Sequence, residues 1–175
     1  VLLREYFDIY VKKASDLISL TNISYFGYIP FIKSKNYNKI FVLDDLASAE
    51  AEALRQIRGN LELTAKKDNS RVVLVSSRFS NEGKSTFISN LAVIIALSGK
   101  KVIILGLDLR IPQLHLKFDL DNKKGMSDLL VNNVNLEEIV QKIKIKDKQS
   151  EYSLDLITSG TIPSNPSELI ANGLI

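Results

Sequence analysis

The chain has 175 residues, of which 45% are hydrophobic and 25% charged, and its 23 basic and 20 acidic residues give a formal net charge of +3. This is the composition of a globular domain with one core and an appendage, and so small a charge excess does not indicate a nucleic-acid partner. The sequence has no cysteine, which excludes disulfides and cysteine-ligated metal sites, and no run approaches the roughly 20 apolar residues of a membrane span.

The first 44 residues are predicted to form a helix followed by a linker. Apolar residues recur at helical spacing over residues 2–20, and Pro30 favours an extended conformation over residues 24–32. A polar linker is expected near residues 33–44. No signal peptide is visible, and the chain starts without Met and stops within a pattern, so we expect it to be a piece of something longer.

The character of the chain changes after a second predicted helix at residues 46–66. The run RVVLVS at residues 71–76 is rich in β-branched residues, which predicts a strand buried on both faces. A helix is predicted over residues 85–98 and a second buried strand over residues 101–105. Strand, helix and strand at this spacing predict a βαβ unit with parallel pairing and a right-handed crossover.

The remaining elements are predicted to be short. Helices are expected at residues 126–131 and 136–143, and a strand is expected at residues 154–158. A last helix is predicted to start at the stretch Asn165-Pro166-Ser167-Glu168. Asn is a suitable N-cap, Pro a suitable first helical residue, and Glu complements the helix dipole.

Residues 78–86 (RFSNEGKST) match the phosphate-binding pattern G-x-x-x-x-G-K-[ST], except that Arg78 replaces the first glycine. Backbone amides of residues 81–86 are expected to curl around an anion, helped by the dipole of the following helix. Lys84 is the candidate for the β- and γ-phosphates of ATP, Ser85 for Mg²⁺ and Thr86 for the α-phosphate. The remaining cofactor-binding candidates in this loop are Asn81, Glu82 and Gly83.

The alternative interpretation of this loop is a chance Gly-Lys-Ser tripeptide in a polar turn. A buried strand before the loop and a helix after it argue for nucleotide binding, because the phosphate loop needs that context. Asn81 stands where the loop needs a positive φ angle, which Asn adopts at some cost.

Asp108 follows the second predicted strand. Acidic residues at the carboxyl end of a strand beside a phosphate loop handle a metal or a proton, so Asp108 and Lys84 are the candidate catalytic residues, and Asp108 is a candidate Mg²⁺ ligand with Ser85. The alternative role for Asp108 is to cap a loop. Arg110 is a candidate phosphate-binding residue, with a structural ion pair as its alternative.

Four stretches of the chain match one family pattern in order. They are Glu82–Thr86 (EGKST), Asp108-x-Arg110-x-Pro112 with His115, Gly125–Leu130 (GMSDLL) and Ser159–Leu169 (SGTIPSNPSEL). They resemble, in turn, the Walker A, Walker A′, G-L-S-x-x-L and G-x-x-P-x-N-P-x-E-L motifs of the cytoplasmic domain of bacterial tyrosine kinases (BY-kinases), which govern capsule and exopolysaccharide polymerisation and export.

The N-terminal part fits the same resemblance. Phe26–Pro30 (FGYIP) resembles the L-G-x-I-P segment that follows the second membrane span in the family's fused membrane proteins. Glu52-x-x-Arg55-x-x-Arg58 matches the family's E-x-x-R-x-x-R motif, which implies that this helix assembles subunits into a ring. Spacing by three places all three side chains near one helical face. The alternative is an ordinary surface helix with Glu–Arg pairs.

The resemblance implies an α/β fold of the P-loop NTPase type, with a parallel sheet flanked by helices and an N-terminal helical juxtamembrane segment. Residues 1–44 would be the juxtamembrane helix and linker, and residues 45–175 the kinase domain, truncated before Walker B. The implied cofactors are ATP and Mg²⁺. The implied activity is phosphorylation of tyrosines in a C-terminal cluster, with the tail of a neighbouring subunit attacking inside the ring. The implied location is the cytoplasmic face of the bacterial inner membrane, in contact with the polysaccharide export machinery.

Two departures from the family pattern leave alternatives open. The family's Walker A′ begins D-x-D, whereas Gly106 stands at the first acidic position here, and the Walker B run and tyrosine cluster are missing. A nucleotide-binding pseudokinase scaffold that regulates polysaccharide chain length by ring assembly is therefore the main alternative to a kinase. A partitioning-type P-loop ATPase is the third reading. For the isolated chain we expect little or no kinase activity, because Walker B normally holds Mg²⁺ against the phosphates.

Overall fold

The computed structural model describes residues 14–32, 39–64, 70–131, 134–146 and 150–173. The helices are α1 (Ala14–Leu20), α2 (Ala49–Leu63), α3 (Lys84–Ala96), α4 (Leu114–Lys117), α5 (Met126–Leu130), α6 (Leu136–Ile139) and α7 (Pro166–Gly173), with a 3-10 turn at Phe41–Leu43. The strands are β1 (Ile103–Leu105), β2 (Gln141–Lys146) and β3 (Glu151–Ile157). The helices predicted near residues 46–66, 85–98 and 126–131 and from residue 166 are confirmed, as are the strands near 101–105 and 154–158.

The described strands form one mixed sheet in the order β1-β3-β2. β1 pairs with β3 in parallel, with Ile104 opposite Leu156, and β2 pairs with β3 as an antiparallel hairpin, with Ile143 opposite Leu154. The fold is thus an α/β sheet with flanking helices, as predicted. The hairpin makes the sheet mixed rather than purely parallel.

The prediction of a helix over residues 136–143 is wrong in its second half. Helix α6 ends at Ile139, and β2 starts two residues later. The stretch QKIKIK alternates apolar and basic residues with a period of two, which suits a strand with one buried face. Ile145 is buried while Lys144 and Lys146 are exposed.

The prediction of a buried strand at residues 71–76, paired in a βαβ unit, is also wrong. This segment has no strand assignment, and Val72 and Leu74 are 99% and 82% exposed. Within the part of the chain that the structure describes, β1 pairs only with β3, so nothing joins residues 71–76 to the sheet. Residues 72–76 and β1 instead lie on the wall of the same cavity of about 1030 Å³. These β-branched and apolar residues are exposed because no neighbouring strand covers them.

The main core lies between helices α2 and α3 and one face of the sheet. Leu54 and Ile57 of α2 are buried against the apolar residues of α3, and Leu154 and Leu156 enter from β3. A second, smaller cluster holds Leu109, Met126, Ile139 and Ile157. Helix α3, which begins at the phosphate loop, is thus packed in the main core between helix α2 and the sheet.

The N-terminal part is described only from residue 14, so the predicted helix over residues 2–20 is confirmed at Ala14–Leu20 and its first part lies outside the described residues. Residues 24–32 contain no helix or strand, so the extended conformation expected there stays a prediction. Residues 33–38 of the expected linker are also outside the description. The C-terminal end of this expected linker packs in the core, since Phe41 and Val42 are buried. Across the described ranges, no helix combines the length and apolar character needed to cross a membrane.

Candidate nucleotide-binding site

The phosphate loop turns sharply before helix α3. Asn81 and Gly83 both have left-handed backbone conformations, with φ angles of 63° and 91°. The positive φ predicted for Asn81 is thus confirmed, and Asn is among the residues that adopt it with least strain. Gly83 is the N-cap of α3, and its carbonyl accepts the Phe87 amide at 2.8 Å. The first amides of α3 have no partner within the helix and are available to an anion.

The side chain of Lys84 lies within the loop. Its ammonium donates to the Ser77 hydroxyl at 3.1 Å and to the Phe79 carbonyl at 3.3 Å. The Glu82 carboxylate accepts the Phe79 amide at 3.0 Å, and this bond and one from Ser77 hold the pKa of Glu82 below its usual range. The loop is therefore closed around its own lysine, with the carboxylate of Glu82 ionised.

A cavity of about 1080 Å³ opens over the loop, and residues 80–87 line it. Asp108 lines the same cavity, so the structure brings the predicted Walker A loop and the predicted acidic residue together. A hydroxyl from Ser85 and a carboxylate from Asp108 are oxygen donors of the kind that Mg²⁺ prefers, with phosphates and water completing its shell. Among the described residues no group of three or more His, Cys, Asp or Glu side chains forms a metal cluster by itself.

Asp108 also caps its own loop. One carboxylate oxygen accepts the amides of Arg110 at 3.3 Å and Ile111 at 3.0 Å. Both roles considered for Asp108 are therefore geometrically compatible, because the capped carboxylate still borders the cavity.

Arg110 is turned elsewhere. Its guanidinium donates to the Ser167 hydroxyl at 3.1 Å, next to the start of α7, and it does not belong to the wall of the cavity over the phosphate loop. Phosphate binding by Arg110 remains a prediction. In the described conformation Arg110 joins the Walker A′ loop to the Asn-Pro-Ser-Glu helix.

The two remaining sequence motifs pack on each other. The amides of Met126 and Ser127 donate to the carbonyls of Thr158 and Ser159, each at 2.9 Å. A Cβ at Gly125 would stand 2.3 Å from the Thr158 carbonyl oxygen, so only glycine permits this approach. The G-M-S motif and the S-G-T motif are therefore hydrogen-bonded to each other just after the end of β3, and we call this contact the joint.

Asp128 completes this joint. Its carboxylate accepts the Thr161 hydroxyl at 2.8 Å and the Gly125 amide at 2.9 Å, while the Asn122 amide group donates to the Gly160 carbonyl at 2.8 Å. Burial by itself raises the pKa of Asp128, but the hydrogen bonds from Thr161 and Gly125 outweigh it and leave the pKa below its usual range. The carboxylate is thus held in its charged form.

The three predicted interface residues on α2 differ in their surroundings. Glu52 is the most exposed, and its carboxylate accepts from Arg55 at 2.9 Å; Arg55 also donates to the Leu46 carbonyl. Arg58 points towards α3, where it donates to the Ile94 carbonyl at 3.4 Å, and it lies 3.8 Å from Glu62. Glu52 and Arg55 therefore border solvent, whereas Arg58 also connects two helices of the core.

Two parts of the cavity wall were not predicted to belong to the nucleotide site. Residues 26–32 line the cavity, with the Phe26 carbonyl accepting from Asn60 at 2.8 Å. Gln113, which precedes α4, and Lys117, the last residue of α4, line it as well. The family resemblance had drawn attention to residues 26–30 only as a membrane-proximal sequence, and nothing in the sequence singled out Lys117.

Comparison with known proteins finds relatives and solved structures that are named tyrosine kinases. No protein-family model matches the chain. It is 35% identical over 139 residues to the tyrosine-protein kinase YwqD of Bacillus subtilis, covering 79% of this chain and 56% of that protein. The chimerical protein CapA2B2 has a similar structure, with a TM-score of 0.76 and 33% identity over 90% of this chain and 65% of the other. The kinase domain of Escherichia coli tyrosine kinase ETK is also similar, with a TM-score of 0.79 and 25% sequence identity. The match covers 93% of this chain and 66% of that domain's chain. The chain thus spans just over half the length of the curated relative.

Proposed function

The chain belongs to the bacterial tyrosine-protein kinase family, and on that premise we propose that it is the ATP-binding part of a protein-tyrosine kinase that controls exopolysaccharide or capsule polymerisation and export. The observation that carries the proposal is the shared cavity of the phosphate loop and Asp108. A phosphoryl-transfer enzyme needs little beyond a positioned triphosphate, positive charge and an acceptor for one proton.

Each residue has a distinct role in this proposal. Backbone amides of residues 81–86 hold the phosphates, and the Lys84 ammonium moves from the Phe79 carbonyl to the β- and γ-phosphates of ATP. Ser85 and Asp108 would hold Mg²⁺, which offsets charge on the phosphates when bound. Asp108 also accepts the proton of the tyrosine hydroxyl as that oxygen attacks the γ-phosphorus and ADP leaves.

The wider assignments rest on the same family. We propose a homo-oligomeric ring that uses Glu52, Arg55 and Arg58, with the membrane reached through the N-terminal side and the assembly placed on the cytoplasmic face of the bacterial inner membrane. The export machinery is the proposed partner. Exposure of Glu52 and Arg55 on α2 supports the ring, because an interface needs accessible side chains.

A second candidate function is a nucleotide-binding scaffold without phosphotransfer. Gly106 favours it, since the first acidic residue of the Walker A′ pattern is replaced by a buried glycine. Without that carboxylate, Asp108 is the acidic residue left on the wall of the cavity beside Glu82, which is engaged in its own loop.

The shared premise is tested by nucleotide binding. We expect the chain to bind a fluorescent ATP analogue in the presence of Mg²⁺, and Lys84→Met to weaken that binding by at least about tenfold, because a charge-assisted contact is lost. Lys123→Met is the matched control, since Lys123 is exposed and pairs with Asp121 at 3.1 Å. No binding by a longer form of the protein that includes the Walker B region would exclude both the kinase and the scaffold.

Phosphotransfer separates the two candidates. A longer form of the protein that contains the tyrosine acceptors should incorporate phosphate from ATP if it is a kinase, and Asp108→Asn should abolish this without abolishing nucleotide binding. Nucleotide binding with no phosphotyrosine would favour the scaffold.

A further inference from the structure

Helix α4 holds Lys117 at the cavity over the phosphate loop. Leu114, at the start of this short helix, is buried in the main core, and Gln113 donates to the Asn81 side chain at 3.4 Å. Lys117 lies one turn after Leu114 and lines the cavity together with Lys84. The position of α4, and with it that of Lys117, is therefore tied to the phosphate loop.

The charged residues on the wall of this cavity are few. They are Glu82, Lys84, Asp108 and Lys117. Two arginines close in sequence are directed elsewhere: Arg78 lies over the Phe79 ring at 5.1 Å, and Arg110 donates to Ser167. Within the described part of the chain, Lys84 and Lys117 are thus the cationic side chains on the wall of the cavity over the phosphate loop. Arg110 lines the other cavity, which also borders Lys84 and Asp108.

The environment of Lys117 differs from that of an ordinary surface lysine. Its side chain is partly buried, and desolvation lowers the pKa of its ammonium group below the usual range. Lys123, by comparison, has an 87% exposed side chain. A partly dehydrated ammonium gains more from a nearby anion than a fully hydrated one, because the local dielectric is lower.

We propose that Lys117 is a second ammonium donor to the phosphate groups of the nucleotide, supplementing Lys84. This inference rests on the proposed nucleotide site. A triphosphate carries more negative charge than one Mg²⁺ and one lysine neutralise, and Arg110 is engaged with Ser167. Lys117 supplies further positive charge on the same cavity wall, from a helix whose preceding residue, Gln113, contacts the phosphate loop.

The test compares Lys117→Met with Lys123→Met in the unaltered background. Methionine keeps an unbranched, flexible side chain of similar size and removes the ammonium group. We expect Lys117→Met to weaken binding of Mg²⁺-ATP by about tenfold and to reduce the salt dependence of binding, because one charge-assisted contact is lost. Competition by inorganic tripolyphosphate should weaken to the same degree, which shows that the lost contact is to phosphate.

Further variants make the result decisive. Lys117→Arg should keep affinity within about threefold, because it keeps the charge. Lys117→Gln gives a second neutral variant, and its melting curve shows whether folding is altered. The inference is overturned if folded Lys117→Met or Lys117→Gln binds ATP and tripolyphosphate as the unaltered chain does, or if Lys123→Met causes an equal loss. Unchanged Lys117 variants beside a defective Lys84→Met would remove this inference and leave the proposed function standing.

Discussion

Gly106 and Ser159 approach so closely that a side chain at position 106 has no space. A Cβ added to Gly106 would lie 2.9 Å from the Ser159 amide nitrogen and 3.0 Å from its hydroxyl oxygen. The Gly106 amide also donates to the Ile157 carbonyl at 2.8 Å, which fixes the two segments together. The packing around position 106 therefore leaves room only for glycine, the residue that stands in place of the first Walker A′ acid.

Substitution of Gly106 should destabilise the chain. We expect Gly106→Ala to lower the free energy of unfolding by about 1–3 kcal/mol, because the backbone at Ser159 must move to admit the new carbon. Gly106→Asp should cost at least as much, because its side chain is larger. Urea denaturation measures both.

Gly59 is the control for this experiment. It lies in α2 with no atom within 4 Å of an added Cβ, so Gly59→Ala should stabilise the chain by about 0.5–1 kcal/mol. If Gly106→Ala proved as stable as the unaltered chain, the tight approach to Ser159 would be disproved.

Asn90 joins the phosphate-loop helix to the 3-10 turn. Its side chain is buried, accepts the Val42 amide at 3.1 Å and donates to the Thr86 carbonyl at 2.8 Å. Asn90→Leu should lower the free energy of unfolding by about 1–3 kcal/mol, because it leaves the buried Val42 amide without a partner. The exposed Asn60, which donates to Phe26, should cost about 1 kcal/mol or less when changed to Ala, and equal losses would contradict the expectation.

The Asp128 carboxylate should make stability depend on pH in the acidic range. Its pKa in the folded chain is lowered, so its contribution is present above the unfolded pKa of about 3.9 and is lost as the pH falls through the folded value. The stability difference between the unaltered chain and Asp128→Asn should be constant near neutral pH and shrink below about pH 4. Denaturation curves at several pH values check this, and a difference that grows on acidification would contradict it.

The exposed part of the α2 motif should govern assembly. We expect Arg55→Ala to reduce the mass of a ring-forming protein measured by light scattering, with a small fall in melting temperature because Arg55 also donates to the Leu46 carbonyl. Arg58→Ala should lower both, since Arg58 also bonds to Ile94 inside the subunit. Lys142→Ala on β2 serves as the control, and an unchanged mass for Arg55→Ala would remove this residue from the proposed interface.

The phosphate loop was predictable because its signal is local. A Gly-Lys-Ser-Thr stretch ahead of an apolar helix determines the turn at Gly83 and the start of α3 within a few residues. The same holds for the last helix, which begins at Pro166 as its capping residues indicate.

The failures have non-local causes. The β-branched segment at 71–76 has strand propensity, but a strand exists only where another pairs with it, and β1 pairs with β3 instead. The hairpin strand β2 was missed because its period-two alternation of Ile and Lys was read as helical. Lys117 carries no motif, so only the fold could place it on the same cavity wall as Lys84.

The edges of the described sheet differ in what they offer to a second polypeptide. β2, on one edge, has exposed lysines at positions 142, 144 and 146, and such an edge resists backbone pairing with another chain. β1, on the other, exposes Ile103 and Leu105 beside the cavity shared with residues 72–76. The edge of the described sheet that can accept a further strand is therefore β1, whose three residues carry no charge.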